Sequence, residues 1–334
     1  MPVRSREIRL KSRPKGTPTP ENFELAETEL GEPGAGEVQV RNLWMSVDPY
    51  MRGRMIDRPS YVPPFQLGEP LQGGAVGVVE KSNAENFAPG DLVQSMLGWR
   101  EAFNLPAKGV QKLDPHGLPP ELFLGVAGMP GMTAWVGLLK VGKLMEGETV
   151  FVSAGAGAVG SVVVQIAKLW GCTVVASAGG ADKLAYLREI GADQVIDYRA
   201  EADLAAALAR AAPKGVDLYF DNVGGDHLQA ALGALRPFGR AAICGMISQY
   251  NDAAPVPGPT NLALVIGKRL RVEGFIVSDH VGDTPAFVQQ MAGWISSGEV
   301  KWRATVDHGI EAAPNAFMKL FSGENIGKML VKLS

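Results

Sequence analysis

Six residues constrain this chain more than any other stretch. Gly155-Ala156-Gly157-Ala158-Val159-Gly160 lie between an apolar β-type run, Thr149–Ser153, and an apolar helical window, Val159–Trp170. In that setting GxGxxG reads as a phosphate-binding turn. Gly155 permits the tight turn, Gly157 lets the backbone approach a pyrophosphate, and Gly160 lets strand and helix pack closely. The helix N-terminus adds free N–H groups and the positive end of the helix dipole. Strand, turn and helix together predict dinucleotide binding at Gly155, Gly157, Ala158, Val159 and Gly160. A second cluster, Gly73-Gly74-Ala75-Val76-Gly77, supplies no helix N-terminus, because Val78, Val79 and Glu80 continue as strand. It reads as sheet backbone.

The turn sits inside a regular alternation that starts near residue 125. Apolar runs at Thr149–Ser153, Thr173–Ala176, Gln194–Asp197, Val216–Asp221, Arg240–Cys244 and Leu270–Phe275 read as strands. Helical windows at Val159–Trp170, Ala181–Ile190, Glu201–Ala211 and His227–Leu235 separate most of them, and a further helix is expected near Pro285–Ser297. Right-handed crossovers then predict an α/β fold with a doubly wound parallel sheet. Residues 1–120 differ, with many Pro and Gly and short runs such as Glu37–Leu43, Ala75–Glu80 and Asp91–Met96 that suit a twisted barrel or sandwich. From about Lys301 the pattern turns β-like again and is expected to rejoin the first domain. The reading is 1–124 with 301–334 as a discontinuous substrate domain, and 125–300 as the nucleotide domain; 334 residues suit two cores.

Composition narrows the partners. A net charge of -3 gives no general attraction to nucleic acid or anionic lipid, so a small molecule is expected. Nowhere do 18 apolar residues run together, and no membrane span is expected. Two cysteines, Cys172 and Cys244, are too few for a disulfide framework or a Cys₄ zinc site and fit a reducing, cytoplasmic setting. Arg4, Arg6, Arg9, Lys11, Arg13 and Lys15 make the N-terminal region basic. It lacks an apolar h-region, and Glu7 with Pro14, Pro18 and Pro20 interrupts the amphipathic helix of a mitochondrial presequence, so these residues read as a solvated edge.

The end of the second strand discriminates between cofactors. NAD enzymes place an acid there for the ribose hydroxyls. Here the chain reads Ala176-Ser177-Ala178-Gly179-Gly180, with Lys183 one helical turn on and Tyr198-Arg199 after the third strand. An ammonium and a hydroxyl suit the 2′-phosphate of NADPH (NADP⁺). The competing reading of Lys183 is a solvated helix lysine, and Asp182 beside it argues against a phosphate.

A hydride enzyme stabilises charge on the substrate oxygen, and zinc is one means. The four histidines, His116, His227, His280 and His308, stand alone in sequence, and neither cysteine lies in the first domain; no metal site is expected. Four segments resemble the zinc-free prostaglandin reductase and leukotriene hydroxydehydrogenase branch of the medium-chain dehydrogenase/reductase superfamily. They are Ser46–Met55 (SVDPYMRGRM), Gly128–Ala134 (GMPGMTA), Asp221–Gly225 (DNVGG) and Cys244–Asn251 (CGMISQYN). Zinc alcohol dehydrogenases carry a cysteine near Asp48–Met51 and a Gly-His-Glu near Gly68–Gly77, both missing here. The resemblance spans nearly the whole chain and implies a GroES-like first domain beside the Rossmann domain.

Residue by residue, the resemblance implies NADPH contacts at Met129, Thr133, Gly157 to Gly160, Lys183, Tyr198, Asn222, Cys244, Gly245, Met246, Ile247, Ser248, Gln249, Tyr250, Phe275, Ile276, Val277 and Asn325. It also implies reduction of the activated C=C bond of α,β-unsaturated ketones or aldehydes, and a homodimer joined through the last Rossmann strand. Tyr250 and then Tyr50 are the candidates to hold the substrate carbonyl, because a phenol is a neutral donor at pH 7. Each competes with a packed aromatic. Met51, Met129, Met132 and Met246 read either as a broad apolar pocket or as core fillers, Asn325 as a cofactor contact or a cap in Gly323-Glu324-Asn325, and Cys244 as packing beside the cofactor. A quinone reductase and a non-catalytic NADPH-binding regulator are the alternative functions.

Overall fold

The computed structural model describes residues 3–334. They form two compact units, 3–124 with Ala304–Asn325 and Met329–Ser334, and Gly125–Arg303 with Ile326–Lys328.

In the second unit, six parallel strands lie in the spatial order Gln194–Asp197, Thr173–Ala178, Thr149–Val152, Val216–Asp221, Leu235–Ile243, Arg271–Gly274. That is the doubly wound order, which reverses direction beside the first strand and leaves a ligand crevice at the carboxyl ends there. The strands are apolar runs because helices cover both faces. Val174, Val175 and Ala176 are fully buried, and Phe151 stacks on Tyr219 with centroids 5.0 Å apart. Helix Gly160–Leu169 is buried from Gly160 to Ala167, as a helix wedged against a sheet must be. The helix expected from Glu201 begins at Leu204, because the Asp203 side chain accepts from the Ala206 amide at 3.0 Å and caps it there. The helix expected from His227 begins at Gly225, and Leu235 belongs to the next strand.

One helix was missed by periodicity. Met129–Trp135 continues into a π turn, Val136–Val141, whose wider winding closes with Gly142 N–H on the Gly137 carbonyl at 2.8 Å. A side chain at Gly137 would strike the Phe220 and Phe275 rings. The bare backbone there sets how Phe275 packs.

The first unit holds a sheet in the order Ala304–His308, Lys328–Lys332, Glu37–Ser46, Ala75–Ser82, Leu92–Ser95, Gln111–Lys112, antiparallel from Lys328–Lys332 onward, with Ala102–Pro106 also paired to Glu37–Ser46. Gly77 lies within a strand, and a Cβ there would stand 2.6 Å from the Arg41 carbonyl, which accounts for that glycine as sheet backbone. Val3–Leu10 pairs with Phe23–Leu30 as a hairpin. Its basic residues are ion-paired: Arg4 with Glu27, Arg6 with Glu101 and Glu311, Arg9 with Glu7, Arg13 with Asp57. The core gathers Phe23, Trp99 and Phe317, with Met45, Met51 and Met55 filling the gaps. No helix among the described residues is long and apolar enough to cross a membrane.

Phe317 touches Phe23, Trp99 and Phe321 by ring edges and is fully buried. Phe317→Ala is expected to cost about 3–5 kcal/mol in urea unfolding, whereas exposed Val281→Ala stays within about 0.5 kcal/mol. Equal losses at the two positions would contradict this core.

Candidate active site

The glycine turn leaves the first strand after Ser153 and enters helix Gly160–Leu169. A Cβ on Gly160 would collide with the Ala154 carbonyl, and one on Gly155 would stand 3.0 Å from both Ala176 and Leu187. Bare backbone lets Gly155 and Gly160 pack closely there, and the Gly155 and Gly157 amides are held within the fold, donating to the Ser177 carbonyl at 2.9 Å and the Ala154 carbonyl at 3.0 Å. Gly327 backs the turn. Its amide donates to the Ala156 carbonyl at 2.7 Å, and Gly327 bridges Gly157. Gly327 has φ +68 and its missing Cβ would strike the Arg303 carbonyl. Sequence reasoning missed this clamp, whose one signal is a glycine immediately before the final strand.

Beside the turn, a buried polar network fixes the loop after the fourth strand. One oxygen of Asp221 accepts from the Tyr219 hydroxyl at 2.6 Å and from the Val223 and Gly224 amides at 2.8 Å each; the Ser153 hydroxyl lies 3.2 Å away. Burial pushes this carboxyl up, and those donors pull it back. Asn222 is held twice by Ser153: its amide N–H donates to the hydroxyl at 2.9 Å, and its side chain donates to the carbonyl at 2.8 Å. Val223 and Asn222 then accept from the amides of Ser248 and Ile247, both at 3.2 Å, which draws the Cys244–Tyr250 segment to Asn222. An acid ending a buried run (VDLYFD) was the unused signal for this network.

Within that segment the Tyr250 phenol folds back, and its oxygen accepts from the Met246 amide at 3.2 Å. Cys244 lies just beyond the strand end, half-buried. Burial, reinforced by the Asp221 charge, pushes its thiol up to about 12, and Cys172 is also raised by burial. Phe275 meets Phe220 edge-on with centroids 6.2 Å apart, and its amide donates to the Ile243 carbonyl at 3.4 Å. Ile276 precedes a 3₁₀ segment opened by Val277. Thr133 is buried and its hydroxyl donates to the Met129 carbonyl at 2.8 Å, one helical turn back, while the Met129 side chain is exposed.

A second cluster surrounds the end of the second strand. Lys183, half-buried in helix Ala181–Glu189, has its pKa lowered by burial and then by the neighbouring Arg199 cation. A Cβ on Gly179 would meet the Arg199 guanidinium nitrogen at 2.7 Å, so the arginine crosses the position where NAD enzymes place an acid. The nearby carboxylate of Asp197 is engaged by the amides of Gly180 and Arg199. Tyr198, 39% exposed, stands edge-on to the buried His227 ring at 5.3 Å.

Two expected residues lie in the other unit. Tyr50 opens the one-turn helix Met51–Arg54, and Asn325 follows the left-handed cap Gly323 rather than forming it. Of the four methionines, Met51 and Met132 are buried fillers, Met246 is half-buried and Met129 is exposed. Among the described residues no group of three or more His, Cys, Asp or Glu side chains gathers to hold a metal ion.

A doubly wound sheet with a glycine-rich turn between its first strand and the following helix, in one chain with a mainly antiparallel unit, defines a nucleotide-dependent oxidoreductase architecture. Residues 6–113 match the family described as the N-terminal domain of oxidoreductase, and 158–294 the family described as zinc-binding dehydrogenase. The NADPH-dependent curcumin reductase of Escherichia coli is 42% identical over 99% of this chain and 97% of its own. The NADP⁺-dependent 2-alkenal reductase of Nicotiana tabacum is 43% identical over 99% and 98%, and prostaglandin reductase 1 of Mus musculus 43% over 99% of both. The crystal structure of CurA from Vibrio vulnificus in complex with NADPH superposes with a TM-score of 0.94 at 40% identity, covering 98% of this chain and 99% of that one. The chain belongs to the medium-chain dehydrogenase/reductase superfamily, among its NADP-dependent reductases.

His227 supplies a pH test of the wall behind Tyr198. Its Nε2 is buried without a hydrogen-bond partner, and burial lowers the ring to about 4. A histidine depressed on folding contributes stability that is present above pH 6.5 and drains as pH falls toward 4. Between pH 7 and 5 the loss attributable to this ring is about 2 kcal/mol. Urea unfolding of His227→Phe beside the parent is expected to show that much less acid sensitivity; identical pH slopes would contradict a buried neutral ring.

Proposed function

We propose that this protein is an NADPH-dependent reductase of activated C=C bonds in α,β-unsaturated ketones and aldehydes. The observation that carries the reading is full-length likeness, at 42–43% identity, to reductases named for curcumin, 2-alkenals and prostaglandins. The site fits the cofactor. Gly155 and Gly160 let the turn pack against Ala176, Leu187 and the Ala154 carbonyl, and the crowded cations Lys183 and Arg199 suit a dianionic 2′-phosphate that relieves their repulsion.

In this reading Gly155 and Gly157 to Gly160 hold the pyrophosphate, and Lys183 and Tyr198 hold the 2′-phosphate. Asn222, Cys244 to Tyr250, Phe275 to Val277, Met129, Thr133 and Asn325 line the remainder of the cofactor. When bound, NADPH supplies hydride from nicotinamide C4 to the substrate β-carbon. The protein's own task is to stabilise the negative charge that develops on the carbonyl oxygen. Tyr250 does so as hydrogen-bond donor, its oxygen fixed by the Met246 amide, and Tyr50 is the second donor. The first unit serves as substrate domain. Both cysteines are unpaired thiols, as a cytoplasmic reductase requires, and their raised pKa values keep them poorly reactive toward electrophilic substrates.

NADPH oxidation with an enone, an enal and a quinone offered separately tests the reading. Turnover of enone or enal is expected, with NADPH preferred over NADH. Lys183→Ala should raise the KM for NADPH about 10- to 100-fold with kcat nearly unchanged, and Tyr250→Phe should lower kcat about 100-fold. Turnover of quinones alone would make the protein a quinone reductase, and tight NADPH binding without turnover a regulator.

The same reading makes the protein a homodimer through the exposed edge strand Arg271–Gly274. That edge carries Val272, 41% exposed, and near it Leu262 and Ile266 are 54% and 82% exposed, an apolar area suited to a two-fold interface. Sedimentation equilibrium is expected to give twice the chain mass, and Val272→Lys with Ile266→Glu to give one chain mass. A monomeric parent would remove the dimer.

A further inference from the structure

Four aromatic rings cross the nucleotide unit in one row. Tyr219 and Phe151 stand opposite each other on paired strands, fully buried, with ring centroids 5.0 Å apart. Phe151 lies within 9° of parallel to His227 at 6.4 Å, and His227 meets the Tyr198 ring edge-on at 5.3 Å. The first ring cannot slide, because the Tyr219 hydroxyl donates to the Asp221 carboxylate at 2.6 Å and to the Ser153 hydroxyl at 3.1 Å. The row therefore begins in the buried network that fixes Asn222 and ends at the exposed Tyr198 phenol.

His227 is the link between the two ends. It lies in the first turn of helix Gly225–Ala234, 6% exposed, and its Nε2 has no hydrogen-bond partner. A buried nitrogen left unbonded costs free energy, so polar bonding through Nε2 is not what the imidazole supplies. What it supplies is a flat ring between Phe151 and Tyr198. Tyr198 has a use for one. Its amide donates to the Ala178 carbonyl at 3.3 Å, which holds the backbone at the end of the third strand but leaves the direction of the side chain open. An edge-on ring pair narrows that direction. The Arg199 guanidinium carbon stands 5.9 Å from the centre of the same Tyr198 ring, so a cation lies beside the phenol that His227 steadies.

We propose that His227 is a positioning residue for cofactor choice: its ring sets the direction of the Tyr198 phenol so that the hydroxyl meets the 2′-phosphate that distinguishes NADPH from NADH. This rests on the reading of Tyr198 as a 2′-phosphate ligand and deepens it, because part of the selectivity is then carried by a buried ring beyond the fourth strand rather than by the cation cluster alone. A hydroxyl already held in place loses little freedom when the phosphate arrives, whereas NADH, which lacks that phosphate, gains nothing from the arrangement. The ring matters and its polarity does not.

The test is direct binding of NADPH and of NADH to the full-length protein, read by nicotinamide fluorescence. Tyr198→Phe is expected to raise the Kd for NADPH about 10-fold and that for NADH less than about 2-fold. His227→Leu, which fills the volume without a flat ring, should raise the NADPH Kd about 3- to 5-fold with NADH again within about 2-fold. His227→Phe, which keeps the ring, should leave both within about 2-fold of the parent. In the Tyr198→Phe background His227→Leu should add less than about 2-fold, because no hydroxyl remains to be aimed. Equal weakening of both cofactors by His227→Leu, a loss that tracks melting temperature across the variants, or the same loss in His227→Phe would overturn the His227 role. Unchanged NADPH binding in Tyr198→Phe would overturn the reading of Tyr198 and the role of His227 with it. Binding is read without substrate, so the result is independent of which electrophile the enzyme reduces.

Discussion

Backbone crowding at the phosphate turn is the constraint from which the nucleotide unit is organised. Gly155, Gly160 and Gly327 each occupy a place where a methyl group would strike a carbonyl or a packed side chain. The turn is thus pressed from two sides: the second strand and helix Ala181–Glu189 lie against Gly155, and the segment Ile326–Lys328 lies against Ala156 and Gly157. A phosphate site of this kind derives its affinity from amides that are already in place, and rigidity removes the ordering cost that binding would otherwise carry.

The Ser153–Tyr219–Asp221 network extends that rigidity to the next loop. Ser153 follows the strand that leads into the turn and accepts from both the backbone N–H and the side-chain amide of Asn222, which ties the ends of the first and fourth strands together. A carboxyl as buried as Asp221 is tolerable only because amides and a phenol donate to it. The segment carrying Tyr250 hangs from this frame through Asn222 and Val223. The place of the Tyr250 segment is then set by strand ends rather than by the loop's own preferences.

The turn and the six strands follow from the period of apolar residues and three glycines, because each is a local pattern, whereas the spatial order of the strands is set by the structure. The cation cluster was half legible. Lys183 and Tyr198 follow from their spacing after the second and third strands, but the path of Arg199 over Gly179 depends on side-chain packing. Gly327 was not found because its partner, Ala156, lies far away in sequence, and Asp221 was missed although Tyr219, Val223 and Gly224, three of its four donors, are near neighbours in sequence. The π turn at Val136–Val141 breaks the 3.6-residue period and so hid its helix. The methionines show the limit of motif proximity, for Met51 belongs to a resembling segment yet fills the core.

The central claim is that the chain's phenols hold a carbonyl oxygen while hydride arrives at the carbon two bonds away from the carbonyl carbon. The most direct measurement uses NADPH carrying deuterium at the transferred C4 position and a simple enone, with the product examined by NMR. Deuterium on the β-carbon of a saturated ketone is the predicted result. Deuterium on a carbinol carbon, with the double bond intact, would contradict the account.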